Sequence, residues 1–364
     1  MGEGLVMREN QAGSAATVNY KKLIDKRARV FEIVLILLLI GVCSLALRLG
    51  TPDVDFKYHI HTLWCWLCNK GAFLTQAQTA ILSKTWAARI IAAGLAGSAL
   101  ALAGASYQSA FQNVLISPDI LGAAAGAGIG ACLGTLMHAP IILTGLLCFG
   151  TSLCAVGLTY FISKHLHHGL NMTLTLILTG IITSAFCNSI ITILVAQAPA
   201  QVNLFDMGYW LTGDLSAQTE IPMLFFIPIY LICIGVLFAL RWKLNILSLE
   251  NDEAQALGVN TSRMRLVCII CATALTSGVV LFAGAVGWVG LMIPNLIRLT
   301  LGPNYKNLLP LSAISGALFL VIVDTLCHVY QLPGLTLGVV TSFIGAPFFL
   351  FVLYLQRKGI PWNS

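Results

Sequence analysis

Ala88-Arg-Ile-Ile-Ala-Ala-Gly-Leu-Ala-Gly-Ser-Ala-Leu-Ala-Leu-Ala-Gly-Ala-Ser-Tyr-Gln-Ser-Ala110 carries one charged side chain, Arg89, at its very start. At about 1.5 Å of rise per residue, a helix of this length crosses a hydrocarbon core of about 30 Å. Its apolar residues do not alternate with polar ones, so it does not read as a barrel strand. In lipid its backbone groups must be satisfied within the segment, which makes it a helix. Its side chains are small, with Gly and Ala dense from Ala92 to Gly104 and again from Leu121 to Gly134. Small residues let helix backbones approach closely where no hydrophobic effect separates lipid from protein. The run therefore belongs to a tightly packed helical bundle in a membrane.

Working outward, the same reading extends over nearly the whole chain. Of 364 residues, 58% are hydrophobic and 9% charged, against about 25% charged in soluble domains. Apolar stretches near 33–49, 88–110, 119–137, 140–162, 172–196, 221–240, 264–282, 287–301, 309–329 and 335–355 predict an all-α polytopic membrane protein of about ten transmembrane helices. The first stretch follows Lys21, Lys22, Lys26, Arg27 and Arg29, but no small-residue cleavage pattern comes after it. It reads as a retained first helix. An even number of spans puts both termini on one side. With the N-terminus inside, only Arg48, Lys57, Lys70, Lys84 and Arg89 of the 20 Lys/Arg fall outside, offset by Asp53, Asp55, Asp206, Asp214 and Glu220. The positive-inside rule then gives N-in and C-in. Residues 1–29 are read as a cytoplasmic tail, 30–356 as the transmembrane domain and 357–364 as a second cytoplasmic tail. The net charge of +6 belongs to the cytoplasmic face and not to a nucleic-acid partner.

Catalytic sets are missing from the sequence: it has no HExxH, no Gly-x-Ser-x-Gly and no Walker A run. Ion-coupled transporters place carboxylates or His at mid-membrane, whereas here Asp324 is the main candidate, with Arg298 near a cytoplasmic end. The energy source is thus expected outside this polypeptide, which needs no cofactor or metal of its own. The eleven Cys lie mostly in apolar stretches, where thiols act as small hydrophobes. His59, His61, Cys65 and Cys68 form a His-x-His-x3-Cys-x2-Cys run outside the spans. That spacing matches no standard zinc module. The segment reads as an amphipathic surface stretch with Trp64 and Trp66 at the headgroups, a metal or redox role being the alternative.

Between two long spans lies Leu244-Asn-Ile-Leu-Ser-Leu-Glu-Asn-Asp-Glu-Ala-Gln-Ala-Leu-Gly-Val-Asn260. Ser248 or Asn251 can cap a short helix, Glu250, Asp252 and Glu253 suit the positive end of its dipole, and Gly258 closes it. A short capped helix outside the membrane is a candidate docking knob.

This segment resembles the coupling loop of the iron-chelate and vitamin B12 permease family of ABC importers. Further stretches resemble that family in order. They are Ala99-Leu-Ala-Leu-Ala-Gly-Ala-Ser-Tyr-Gln108, Asn113, Ser117-Pro-Asp-Ile-Leu-Gly122, Trp210-Leu-Thr-Gly213, Ala283-Gly-Ala-Val-Gly-Trp-Val-Gly-Leu-Met-Ile-Pro-Asn-Leu-Ile-Arg298, Leu308-Leu-Pro-Leu311 and Gly345-Ala-Pro-Phe-Phe349. The resemblance implies the type II ABC importer permease fold in a bacterial inner or plasma membrane. It also implies a homodimer or a dimer with a paralogue, two ATPase subunits that bind ATP and Mg, and an extracytoplasmic substrate-binding protein. Carried over, residues 244–262 form the coupling loop, in which Glu250, Asn251, Asp252, Glu253, Ala254, Leu257, Gly258 and Val259 meet the ATPase. Gln108, Asn113, Gly122 and Gly126 lie near the translocation pathway. The cargo expected is a ferric siderophore, with haem or cobalamin as alternatives and an ion-coupled secondary transporter as a more distant one. Two departures stand at the outer face. Trp86-Ala-Ala-Arg89 keeps only the last Arg of the family's Arg-x-Pro-Arg, and His328 replaces a frequent Arg. Docking of the binding protein is accordingly expected on Arg89, Lys84 and His328.

Overall fold

A computed structural model describes residues 3–50, 87–166, 172–198, 212–215, 220–248, 251–330 and 334–357. Every regular element among them is a helix. They are α1 (Glu3–Gly50), α2 (Ala87–Ala110), α3 (Ala123–Leu136), α4 (Ile141–Leu166), α5 (Met172–Ala196), α6 (Glu220–Leu247), α7 (Asn251–Ala256), α8 (Thr261–Ala283), α9 (Val289–Leu301), α10 (Tyr305–Tyr330) and α11 (Leu337–Arg357). Each of the ten expected spans is found as a helix. Seven are long and apolar enough to cross a membrane, with α3, α9 and the apolar part of α11 shorter. The chain is a multi-pass membrane protein.

The expected boundaries differ where a local group outweighs hydrophobicity. The third span begins at Ala123 instead of 119, because Gly122 at φ 80° breaks the single turn that starts at Ser117. The ninth begins at Tyr305 instead of 309. The Asn304 side chain accepts from the Lys306 N–H at 3.0 Å and starts the helix early, so Pro310 falls inside it. Similarly, α6 runs on past 240 to Leu247 through Arg241 and Lys243.

The opening run is the axis of the bundle. In α2, 83% of the apolar window is buried, against 11% in α1, so α2 is surrounded by protein while α1 faces lipid. Around it pack α6, α8, α9 and α10, while α3 joins α4, α5 and α8, and α1 lies along α10. Glycine permits these crossings. A Cβ on Gly97 would stand 2.0 Å from the Gly316 carbonyl oxygen of α10, and one on Gly104 would stand 1.8 Å from the Gly290 carbonyl oxygen of α9. At such distances the helices touch backbone to backbone, which supplies the dispersion contacts that lipid cannot.

Between α2 and α3 the chain leaves helical geometry for residues 111–122. Buried Ile116, Ser117 and Leu121 keep this stretch inside the protein, the condition under which irregular backbone survives at membrane depth.

Candidate functional site

The short helix α7 stands between the end of α6 and the start of α8. Its last turn closes when the Leu257 N–H bonds the Glu253 carbonyl and the Val259 N–H bonds the Ala254 carbonyl, both at 3.2 Å. Gly258 supplies the left-handed step at φ 77°, with nothing near where a side chain would go. Asn260 then caps α8, its side-chain oxygen accepting from the Arg263 N–H at 3.0 Å. Ala254 and Val259 are buried and anchor the turn, while Glu253, Ala256, Leu257 and Gly258 are exposed. A leucine left 59% exposed beside a carboxylate makes a small mixed patch of the kind that seats in a partner. Ser248 does not cap this helix, since its hydroxyl turns back to the Leu244 carbonyl at 3.0 Å. Glu250 lies outside the described residues, as do the side chains of Asn251 and Asp252.

A buried polar network sits at the same end of the bundle. Arg298 of α9 donates to the side-chain oxygens of Gln108 and Asn295, the latter at 2.8 Å, and to the Tyr305 hydroxyl at 3.0 Å. Its guanidinium also lies 5.8 Å from the Tyr305 ring centre. Asn245 of α6 closes the circle, accepting from the Tyr305 N–H at 2.8 Å and donating to Asn304 at 3.1 Å. The cation therefore rests on neutral side-chain oxygens and stands in the last turn of α9, whose partial negative charge offsets it. The arrangement binds four helix ends together and has no nucleophile–base pair in it.

At the opposite end, Arg89 holds Asp324 of α10 with Nε and a terminal nitrogen, at 2.9 and 2.8 Å. Asp214 stands 3.8 Å from the same guanidinium. The Arg89 and Asp324 side chains are 13% and 3% exposed, so the pair is an internal tie. His328 is half-buried one turn further along α10, and Lys84 lies outside the described residues.

The expected pathway residues are placed in two groups. Gln108 is buried and donates to the Gly290 carbonyl at 3.4 Å in addition to receiving Arg298. Asn113 is 9% exposed, its oxygen bonded to the Leu115 N–H at 2.9 Å. Gly122 and Gly126 instead lie where α3 meets α5 and α4, a Cβ on Gly126 falling 2.7 Å from that of Ala155. Sequence reasoning passed over Asp119, whose carboxylate accepts from the Trp288 N–H at 3.1 Å at the start of α9. Trp288 itself has φ 69°, a left-handed position rare for a large side chain. Its place beside Gly287 in a broken apolar stretch was the available signal. The His59, His61, Cys65 and Cys68 run lies outside the described residues.

A groove of about 690 Å³ opens between the Thr212 and Gly287 segments and α11, with Gly338, Ser342 and Phe343 on its wall.

Known proteins resemble this chain in sequence and in fold. The chain is 29% identical to the molybdate import system permease MolB of Haemophilus influenzae, over 91% of this chain and 96% of that one. It is 34% identical to a protein of Helicobacter pylori named as an iron chelatin transport system permease, over 74% of this chain and 81% of that one. A solved transporter in an inward-facing conformation, described as of the metal-chelate ABC type, superposes with a TM-score of 0.73 at 27% identity. That match covers 89% of this chain and 98% of the other. With the family's sequence profile matching residues 34–355, the chain belongs to the FecCD transport family.

Proposed function

We propose that this chain is the permease subunit of an ATP-driven ABC importer that moves a ferric siderophore or related metal chelate into the cytoplasm by alternating access. Haem and cobalamin are the alternative cargoes. The observation that carries the reading is α7, a closed short helix that buries Ala254 and Val259 and presents Glu253 and Leu257 beyond the membrane helices. Glu250, Asn251, Asp252 and Glu253, with Ala254, Leu257, Gly258 and Val259 shaping the turn, meet an ATPase subunit that binds ATP and Mg. Hydrolysis resides in that partner, and the present chain performs no chemistry on its cargo.

The sidedness follows the charge distribution: α7 and the Arg298 network face the cytoplasm, and the Arg89–Asp324 tie faces outward in a bacterial plasma membrane. A second copy or a paralogue covers the apolar faces of α5 and α11, where Ile182 and Phe343 are 69% and 83% exposed. The groove beside α11 and the Gln108–Asn113 region belong to the path between the two copies. The binding protein docks on the outer ends of α2 and α10, near Lys84 and His328, with Arg89 ordering that end through Asp324. An ion-coupled mechanism is disfavoured because Asp324 is already neutralised by Arg89.

Proteoliposomes holding this chain, its ATPase and its binding protein test the reading when offered ferric citrate, a ferric hydroxamate, haem, cobalamin and molybdate. ATP-dependent accumulation of a ferric chelate is the expected result. Accumulation of haem, cobalamin or molybdate alone changes the cargo and keeps the machine. Accumulation that persists without the ATPase overturns the reading.

A further inference from the structure

The end of α2 is gripped from both arms of the coupling loop. Upstream of α7, Gln112 donates its amide to the Leu247 carbonyl at 3.0 Å, and Ser109 donates its hydroxyl to the Leu244 carbonyl at 3.2 Å. Downstream of α7, Arg265 in the second turn of α8 donates Nε to the Ala110 carbonyl at 2.7 Å. Leu247 and Ala110 are the last residues of α6 and α2, where carbonyls run out of partners in their own helix, while the Leu244 carbonyl also takes the Ser248 N–H at 3.2 Å. Such groups take strong donors, and a guanidinium there also meets the negative end of the helix dipole.

Gln112 carries a second observation. It follows α2 in the left-handed region at φ 51°, where glycine is the residue that fits without strain. A glutamine in this position bears a backbone cost that its reach to Leu247 offsets. Strain of this kind marks places where geometry serves something besides stability.

The next residues are the non-helical stretch 111–122, tied to α9 by Asn295, which donates to the Val114 carbonyl at 2.9 Å, and by the Asp119 carboxylate on Trp288. Resting on the reading of α7 as the ATPase contact, we propose that Gln112 and Arg265 form a clamp that passes movement of the coupling helix to the end of α2 and the 111–122 segment. Gln112 and Arg265 are positioning residues: they touch no cargo, and they set where the broken segment stands in each state. The backbone contacts at Gly97 and Gly104 hold α2 against α10 and α9, so a displaced end is not absorbed by slack along the helix.

The test uses the complete complex with its ATPase subunits in proteoliposomes, carrying Val114→Cys throughout. Peptide mass spectrometry reads how fast a water-soluble maleimide labels position 114, with and without ATP plus vanadate. In the parent complex, nucleotide trapping is expected to change the labelling rate about tenfold, a usual size for coupled sites. Gln112→Gly combined with Arg265→Leu is expected to cut that change to about twofold or less at equal trapped nucleotide. Gln112→Gly alone relieves the backbone strain, so the complex keeps or raises its Tm while the response falls about threefold. Arg265→Lys, which keeps a donor, is expected to retain most of it. A full response in Gln112→Gly and in the double variant overturns the clamp. So does a parent that traps nucleotide with no change at position 114. A parent complex that traps no nucleotide, or recruits no ATPase, overturns the importer reading and the clamp with it.

Discussion

Arg89 and Asp324 are 235 positions apart in the chain and 2.8 Å apart in the structure. Neither is exposed enough for water to take over if its partner is lost. Removing one member of a buried pair leaves an uncompensated charge, at a cost of about 3–5 kcal/mol. Asp324→Ala is therefore expected to lower the Tm of the purified chain more than Arg89→Ala,Asp324→Ala does, because the double variant leaves no buried ion, only the partly exposed Asp214. Thermal unfolding of the four members of that cycle in detergent reads the coupling directly, and additive losses would show that the tie contributes nothing. The sequence marked Asp324 as the main carboxylate within a span, and it marked Arg89 as a surface group for a partner protein. Only the folding of α2 against α10 brings them together, and no spacing along the chain encodes that.

At the level of elements, the glycines divide into those that meet a neighbour and those that do not. Gly104 faces the Gly290 carbonyl at a distance no Cβ can occupy, so Gly104→Ala must push α9 away from α2. Overpacking of this kind costs about 1–3 kcal/mol, and a lower Tm and reduced yield of folded protein are expected. Gly235 of α6 has nothing within 4 Å, and Gly235→Ala is expected to leave Tm unchanged or raise it slightly through helix propensity, worth up to about 1 kcal/mol. Equal losses at both positions would contradict the packing described for α2. In the coupling turn, Gly258 has open space around it but φ 77°. There Gly258→Val strains the backbone by about 1–2 kcal/mol without any clash. It is expected to spare the membrane bundle while weakening ATPase recruitment, read by co-purification. All ten apolar helices were legible from composition, and the seven long enough to cross a membrane also from length, because lipid imposes one solution on a long apolar run. The places where α3 and α10 begin were not, since Gly122 and Asn304 act through a dihedral angle and a hydrogen bond that hydrophobicity does not register. The short helix α7 was legible from Gly258, which closes it as expected although Ser248 does not cap it, whereas the Arg298 network was not, as its members come from three separate stretches.

Across the whole molecule, α2 is a buried axis tied at both ends. At one end Arg89 joins it to α10, and at the other Gln108, Ser109 and Ala110 join it to α9, α6 and α8. A bundle pinned in this way favours a few discrete packings over gradual deformation, which suits a machine that alternates between two openings. On the proposed reading force enters at α7, which lies outside the membrane helices and exposes Glu253. The most direct test is ATP-driven uptake by proteoliposomes containing the ATPase, the binding protein and either the parent chain or Glu253→Arg. Uptake of ferric chelate should be robust with the parent and fall about tenfold or more with Glu253→Arg, the folded complex otherwise keeping its Tm. Equal uptake by the two, or uptake that needs no ATPase, would contradict the assignment of α7 as the point where ATP hydrolysis drives transport.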